Sequence, residues 1–154
     1  MHTTSTVETS GTRRVDQLLA HYGESHTHLT NERIHFVAIP VIMFSLVGLL
    51  FALHPWVAYA FMAASMVYYA RLSGIFLAAM AAQTLLMLWL VYQLDATGML
   101  VSACTALFVA AWIFQFIGHK IEGKKPSFFE DIQYLWVGPL FVVSKLFEKL
   151  GVRW

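Results

Sequence analysis

Between Arg33 and Lys120 the only charged side chains are Arg71 and Asp95, so stretches 34 to 70, 72 to 94 and 96 to 119 contain no Asp, Glu, Lys or Arg. A membrane span needs roughly 20 apolar residues to cross ~30 Å of hydrocarbon. The first stretch has room for two spans and the others for one each. The break in the first falls at His54-Pro55, where Pro has no backbone N–H to donate and disfavours helix in the residue before it. The pattern predicts four spans at about 34 to 53, 56 to 71, 73 to 93 and 97 to 118. The runner-up division is three spans plus a re-entrant piece.

Ahead of the spans, residues 1 to 12 are rich in Ser and Thr with little to bury and read as a disordered tail. From Arg13 onward, Val15, Leu18, Leu19 and Tyr22 recur at helical spacing, with Arg13, Asp16 and Gln17 on the other face. This predicts an amphipathic helix lying on the membrane surface. No long apolar run precedes Ile34, so the first span is expected to act as its own insertion signal. Beyond span four, the apolar run from Ile132 to Phe147 is short and interrupted by Gly138-Pro139, which predicts one or two interfacial or re-entrant helices. The expected architecture is all-α: an integral membrane four-helix bundle with an N-terminal amphipathic helix, residues 13–154 forming one membrane-embedded domain. Small residues such as Ala63, Ala64, Ala78, Ala79, Ala81 and Ala82 would let the spans pack closely.

Composition agrees, with 58% of the 154 residues hydrophobic and 12% charged. The net charge of +1 conceals an asymmetry. Arg13, Arg14 and Arg33 precede span one, Arg71 separates spans two and three, and Lys120, Lys124 and Lys125 follow span four, while the other two turns carry no base. The positive-inside rule places both termini in the cytoplasm. Cys104, the only cysteine, lies within a span and reads as a packing residue. The chain has no internal repeat, Gly-rich phosphate loop or basic-aromatic stripe, which sets nucleic-acid binding aside.

The histidines change the picture. His21, His26, His28, His35 and His119 fall at or near span ends that the charge pattern assigns to the cytoplasmic face. Ionisable residues at a membrane edge are costly enough to count as functional candidates, although a single one is more often an interfacial polar group. Antiparallel packing of spans one and four would bring His26 and His35 toward His119. Tyr22 and His26, Asn31 and His35, and Gln115 and His119 are each four apart, and His119 and Glu122 are three apart, so each pair shares a helix face. Neutral imidazoles from separate segments, with Asn, Gln or Glu holding the rings, are a donor set for iron, zinc or manganese. His21, five residues before His26, is a further candidate ligand. Haem fits less well, because paired haem ligands would lie inside the bundle. His54 reads as a structural interface residue and Asp131 as the start of the last helix. Glu122 has three readings, as a ligand, a proton relay or a helix cap, of which support of the metal site is favoured. Lys120, Lys124 and Lys125 are placed to attract a carboxylate, as are the basic loops of many membrane proteins.

Two segments, YGESHTHLTNERIHFVAIP (22 to 40) and WIFQFIGHKIEGKKPSFFEDIQYLWVGP (112 to 139), resemble the yeast-type 2-hydroxy fatty acid dioxygenase family. The resemblance rests on Tyr22, His26, Asn31, His35 and Pro40, then Gln115, Phe116, Gly118, His119, Glu122 and Pro126. His28 and Leu29 stand where relatives often carry Asn and Pro, and Ala38 where they often carry Gly, which argues against His28 as a ligand. The resemblance implies an Fe(2+)-dependent enzyme that converts a 2-hydroxy fatty acid and dioxygen to the fatty acid one carbon shorter, without 2-oxoglutarate. In that reading His26, His35 and His119 hold the metal, Tyr22, Asn31, Gln115 and Glu122 support the chemistry, and the acyl chain extends into the bundle or the membrane lipid. The alternatives from other classes are a lipid-binding or adaptor protein with a headgroup site, and a zinc hydrolase on the same scaffold.

Overall fold

The computed structural model describes residues 13–24, 26–123 and 134–154. Among these, every regular element is helical: α1 (Arg14–Gly23), α2 (Leu29–Leu53), α3 (Pro55–Ala70), α4 (Gly74–Asp95), α5 (Leu100–Glu122) and α6 (Val137–Leu150). The tail 1–12 and the residues Lys124, Lys125, Pro126 and Asp131 lie outside the described residues.

The helix boundaries have local causes. His54 is extended, its ring accepts the Trp56 N–H, and Pro55 opens α3 at a position whose missing N–H has no partner to lose. Gly98 adopts φ +73° between α4 and α5, a conformation that favours glycine. α2 begins at Leu29, five residues ahead of the expected start, because the His28 ring accepts the Thr30 N–H and caps the helix there. That extra turn carries Asn31 onto the helix.

α2, α4 and α5 are long and apolar enough to cross a membrane. The 16 residues of α3 rise about 24 Å, short of a ~30 Å hydrocarbon core. The four expected spans thus reduce to three helices of spanning length with a shorter companion. Leu53, Trp56, Leu85, Trp89, Val101 and Phe114 are each more than half exposed, an outer surface suited to lipid.

Two further expectations are corrected. α1 is amphipathic, but Val15, Leu19 and Tyr22 are buried in protein, in a core shared with Phe76 and Met80 of α4 and Leu140 and Phe141 of α6. Its apolar face therefore rests on other helices and not on the membrane surface. Gly138-Pro139 does not interrupt a helix. It lies in the first turn of α6, where backbone N–H groups lack intrahelical partners and proline costs little. The turn before α6 is tied to α3: Trp136 Nε1 donates to Ser65 Oγ at 2.9 Å, and Tyr69 Oη donates to the Trp136 carbonyl at 3.2 Å.

α2 and α5 pack antiparallel along their length. Gly48 faces Cys104 and Leu100 at one end, Ala38 and Ile42 meet Ala111 and Trp112 in the middle, and Gly118 faces Asn31 and His35 at the other. A Cβ on Gly48 would fall well inside contact distance of Cys104 Sγ. Gly48→Ala is expected to lower stability by about 1–3 kcal/mol through overpacking, and adding Cys104→Ala to recover most of the loss. Thermal unfolding of both single variants and the double variant in detergent checks this, and purely additive effects would refute the contact.

Candidate metal centre

Three segments converge at the Asn31 end of the α2–α5 seam. His26 comes from the α1–α2 connection, His35 from the second turn of α2 and His119 from the last turn of α5. All three are buried, at 6%, 1% and 6% exposure. Their rings meet edge to face, with centroids 4.3 Å apart for His26 and His35, 5.0 Å for His35 and His119, and 5.8 Å for His26 and His119. One nitrogen from each lies within 4.8 Å of the others.

Backbone carbonyls set the protonation of two of these rings. His26 Nδ1 lies 2.7 Å from the Tyr22 carbonyl, and His35 Nδ1 lies 2.9 Å from the Asn31 carbonyl. A carbonyl only accepts, so each Nδ1 carries the hydrogen and the lone pair of the neutral ring resides on Nε2. That is the usual arrangement of a metal-binding histidine, whose second nitrogen donates to a carbonyl or carboxylate. The donor set, three buried imidazoles from separate segments, fits a divalent transition metal.

Glu122, one turn beyond His119, reaches across to the start of α2. Its carboxylate accepts from the Thr27 N–H at 2.9 Å, the Thr27 hydroxyl, the His28 N–H at 2.9 Å and Asn31 Nδ2 at 3.0 Å. A negative charge is favoured at this helix N-terminus, where N–H groups project without intrahelical partners. Glu122 thereby joins the three segments that carry the histidines. The connection continues from Glu122 through Asn31 to His35.

Tyr22 stacks on His26, with centroids 4.2 Å apart and planes 13° from parallel, and Phe141 of α6 packs against both rings. Gln115, one turn before His119, is buried and lines a small cavity with Tyr22, Ile39 and Trp112. His21 does not join the cluster: its ring is exposed, with Nε2 3.1 Å from the Tyr134 hydroxyl and Nδ1 3.5 Å from a Glu24 oxygen. His28 caps α2, and Lys120 points outward.

A family model described as 2-hydroxy-palmitic acid dioxygenase Mpo1-like matches residues 12–150. The chain belongs to the Mpo1-like family. No curated protein and no solved structure matches it. The match takes in every segment of this Mpo1-like chain that contributes to the histidine cluster.

The sequence carried no signal for Thr27, whose partner Glu122 is 95 residues away, or for Phe141, which looks like any apolar residue of α6. Gly118 was open to a structural reading through its place next to His119. A Cβ there would collide with Asn31 Oδ1 and approach His35 Cε1 at 3.5 Å.

Glu122→Ala in this Mpo1-like protein is expected to lower stability by about 1–3 kcal/mol through loss of charge-assisted hydrogen bonds. It is also expected to weaken metal binding roughly ten- to a hundredfold by loosening His26 and His35. Thermal unfolding and metal titration measure the two effects, and an unchanged metal affinity would show that the clamp does not serve the cluster.

Proposed function

We propose that this protein is an iron(II)-dependent dioxygenase that carries out α-oxidation of 2-hydroxy fatty acids, giving fatty acids one carbon shorter. The observation that carries the reading is the convergence of His26, His35 and His119 in a chain whose family is named for 2-hydroxy-palmitic acid dioxygenase. Three imidazoles are the ligands, and no carboxylate joins them among the described residues. When bound, iron supplies the electron-transfer chemistry that lets dioxygen react with the hydroxy acid, and it leaves positions for the substrate oxygens. The balance closes with one hydroxy acid and one dioxygen giving the shortened acid, carbon dioxide and water, so neither 2-oxoglutarate nor another reductant is required.

The chain's own residues do the rest. The carbonyls of Tyr22 and Asn31 hold His26 and His35 in one tautomer. Glu122 fixes the connection that carries His26 against α5. Tyr22 and Phe141 cover the His26 ring and exclude water from that side. Residues 13–154 act as one membrane-embedded unit, with α3 completing a bundle around α2, α4 and α5. Arg13, Arg14, Arg33, Arg71 and Lys120 put both termini and the metal centre on the cytoplasmic side, within reach of an amphiphilic acid whose chain stays in the lipid.

The test is anaerobic purification in detergent, metal analysis, and oxygen uptake with a long-chain 2-hydroxy fatty acid. The expected result is stoichiometric iron and a product one carbon shorter, with His119→Ala losing both metal and turnover. Three histidines also make a catalytic zinc set, so bound zinc without oxygen consumption would point to hydrolysis instead. A His119→Ala variant with full iron and activity would overturn the ligand assignment.

A further inference from the structure

The seam between α2 and α5 has two faces. One carries the metal centre, with Trp112 and Gln115 of α5 and Ile39 and Ile42 of α2 below the histidines. The other carries an open groove of about 450 Å³, a volume within the usual range for a site that takes a small organic ligand. Ala38 and Ala111, both 4% exposed, form its floor, flanked by Val37 and Val41 of α2 and by Leu107 and Phe114 of α5. The groove exists because the floor residues are small, and larger side chains there would fill it. None of the three histidines lines it. From Thr30 to Val41 it follows α2 for about 16 Å, the direction in which a lipid chain lies across a leaflet.

The groove is polar at one end only, where Arg33 and Thr30 lie one helical turn from Val37 and Ile34. Arg33 is exposed, and no carboxylate among the described residues pairs with it. A basic residue at the end of a span is common in membrane proteins. What sets Arg33 apart is the apolar groove that starts beside it. Its planar fork of donors matches a carboxylate. The ligand that complements both features carries a negative charge on the last carbon of a single apolar chain, as a long-chain fatty acid does. The phosphate of a phospholipid is separated from its chains by glycerol and ester groups, and the lining offers only Thr30 to meet them.

We propose that this groove is a second site, separate from the metal centre, that binds a long-chain fatty acid with its chain between α2 and α5 and its carboxylate on Arg33. The inference does not depend on the chemistry assigned to the histidines. Every lipid-facing surface of the protein offers apolar contact, so the chain alone gives no selectivity and the ion pair decides which amphiphile stays.

The experiment places the full-length protein, as purified, in phosphatidylcholine nanodiscs without oxygen and labels it with a palmitate analogue that carries a diazirine in mid-chain. Peptide mass spectrometry locates the crosslinks. They are expected to concentrate on residues 37–41 and 107–114. Palmitate is expected to compete at about tenfold lower concentration than hexadecanol or phosphatidylglycerol, and Arg33→Gln to weaken labelling by about tenfold. Ala110→Phe, which places a ring in the groove from an exposed position, removes the labelling. Thermal unfolding of both variants stays at the wild-type value, and Val37→Phe replaces Ala110→Phe if the latter does not fold. Crosslinks spread evenly over α2, α4 and α5 overturn the proposal, as do hexadecanol competing as well as palmitate and an Arg33→Gln variant labelled like wild type. Phosphatidylglycerol competing as well as palmitate overturns the fatty acid and assigns the groove to phospholipid. Crosslinks gathered around His119 place the acid in the metal centre and overturn the second site. Each of these results leaves the dioxygenase reading to its own test of metal content and oxygen uptake.

Discussion

The close approach of α2 and α5 is the constraint on which the rest of the molecule depends. Helices surrounded by lipid gain little from hiding apolar surface, because the tails outside are as apolar as the side chains, and association falls to tight packing and polar contacts. Along this seam the packing is made by Gly48 against Cys104, Ala38 against Ala111, and Gly118 against Asn31. Glycine at each end keeps the helices close over their whole length. The result is a rigid pair whose far end can carry a cluster of polar groups in a fixed arrangement.

That rigidity passes to the site through hydrogen bonds of short reach. The α1–α2 connection has few apolar residues of its own to hold it, yet it supplies His26. Glu122 substitutes for a core there by accepting from Thr27, His28 and Asn31 at the N-terminus of α2. The charge is favoured by the helix end it caps, and α5 that carries it also carries His119. From the other side, α1 and α6 lay Tyr22 and Phe141 over the His26 ring. Burying the apolar face of α1 in protein is thus part of building the site, since Tyr22 is the last core residue of that helix.

How legible these features were follows from the range of the forces behind them. The break at His54-Pro55 and the ends near Arg71 and Asp95 are local, and the sequence states them directly. The gathering of His26, His35 and His119 needed one added assumption, that the first and last long helices run antiparallel. Features set by distant partners were not legible. The start of α2 at Leu29 depends on His28 and on a carboxylate 91 to 95 residues away. Gly138-Pro139 has the same composition whether it breaks a helix or begins one, and its position in the first turn of α6 settles the matter. His21 and His26 look equivalent in the sequence, but the end of α1 turns between them and sends the His21 ring to Tyr134 and Glu24.

The burial of so many polar groups at one end of an apolar fold has a consequence for what that end can do. Backbone carbonyls and Glu122 take up the Nδ1 groups of His26 and His35 and the amide N–H of Asn31. Those bonds make the site stable without using the ring nitrogens that carry lone pairs. One nitrogen from each of the three imidazoles lies within 4.8 Å of the others, a donor set suited to a divalent transition metal. A chain that could have filled this position with leucine and alanine instead keeps an electron-rich pocket at the edge of its apolar body. The fold is held by the packing along α2 and α5, while the polar end is arranged for groups that come from outside the protein.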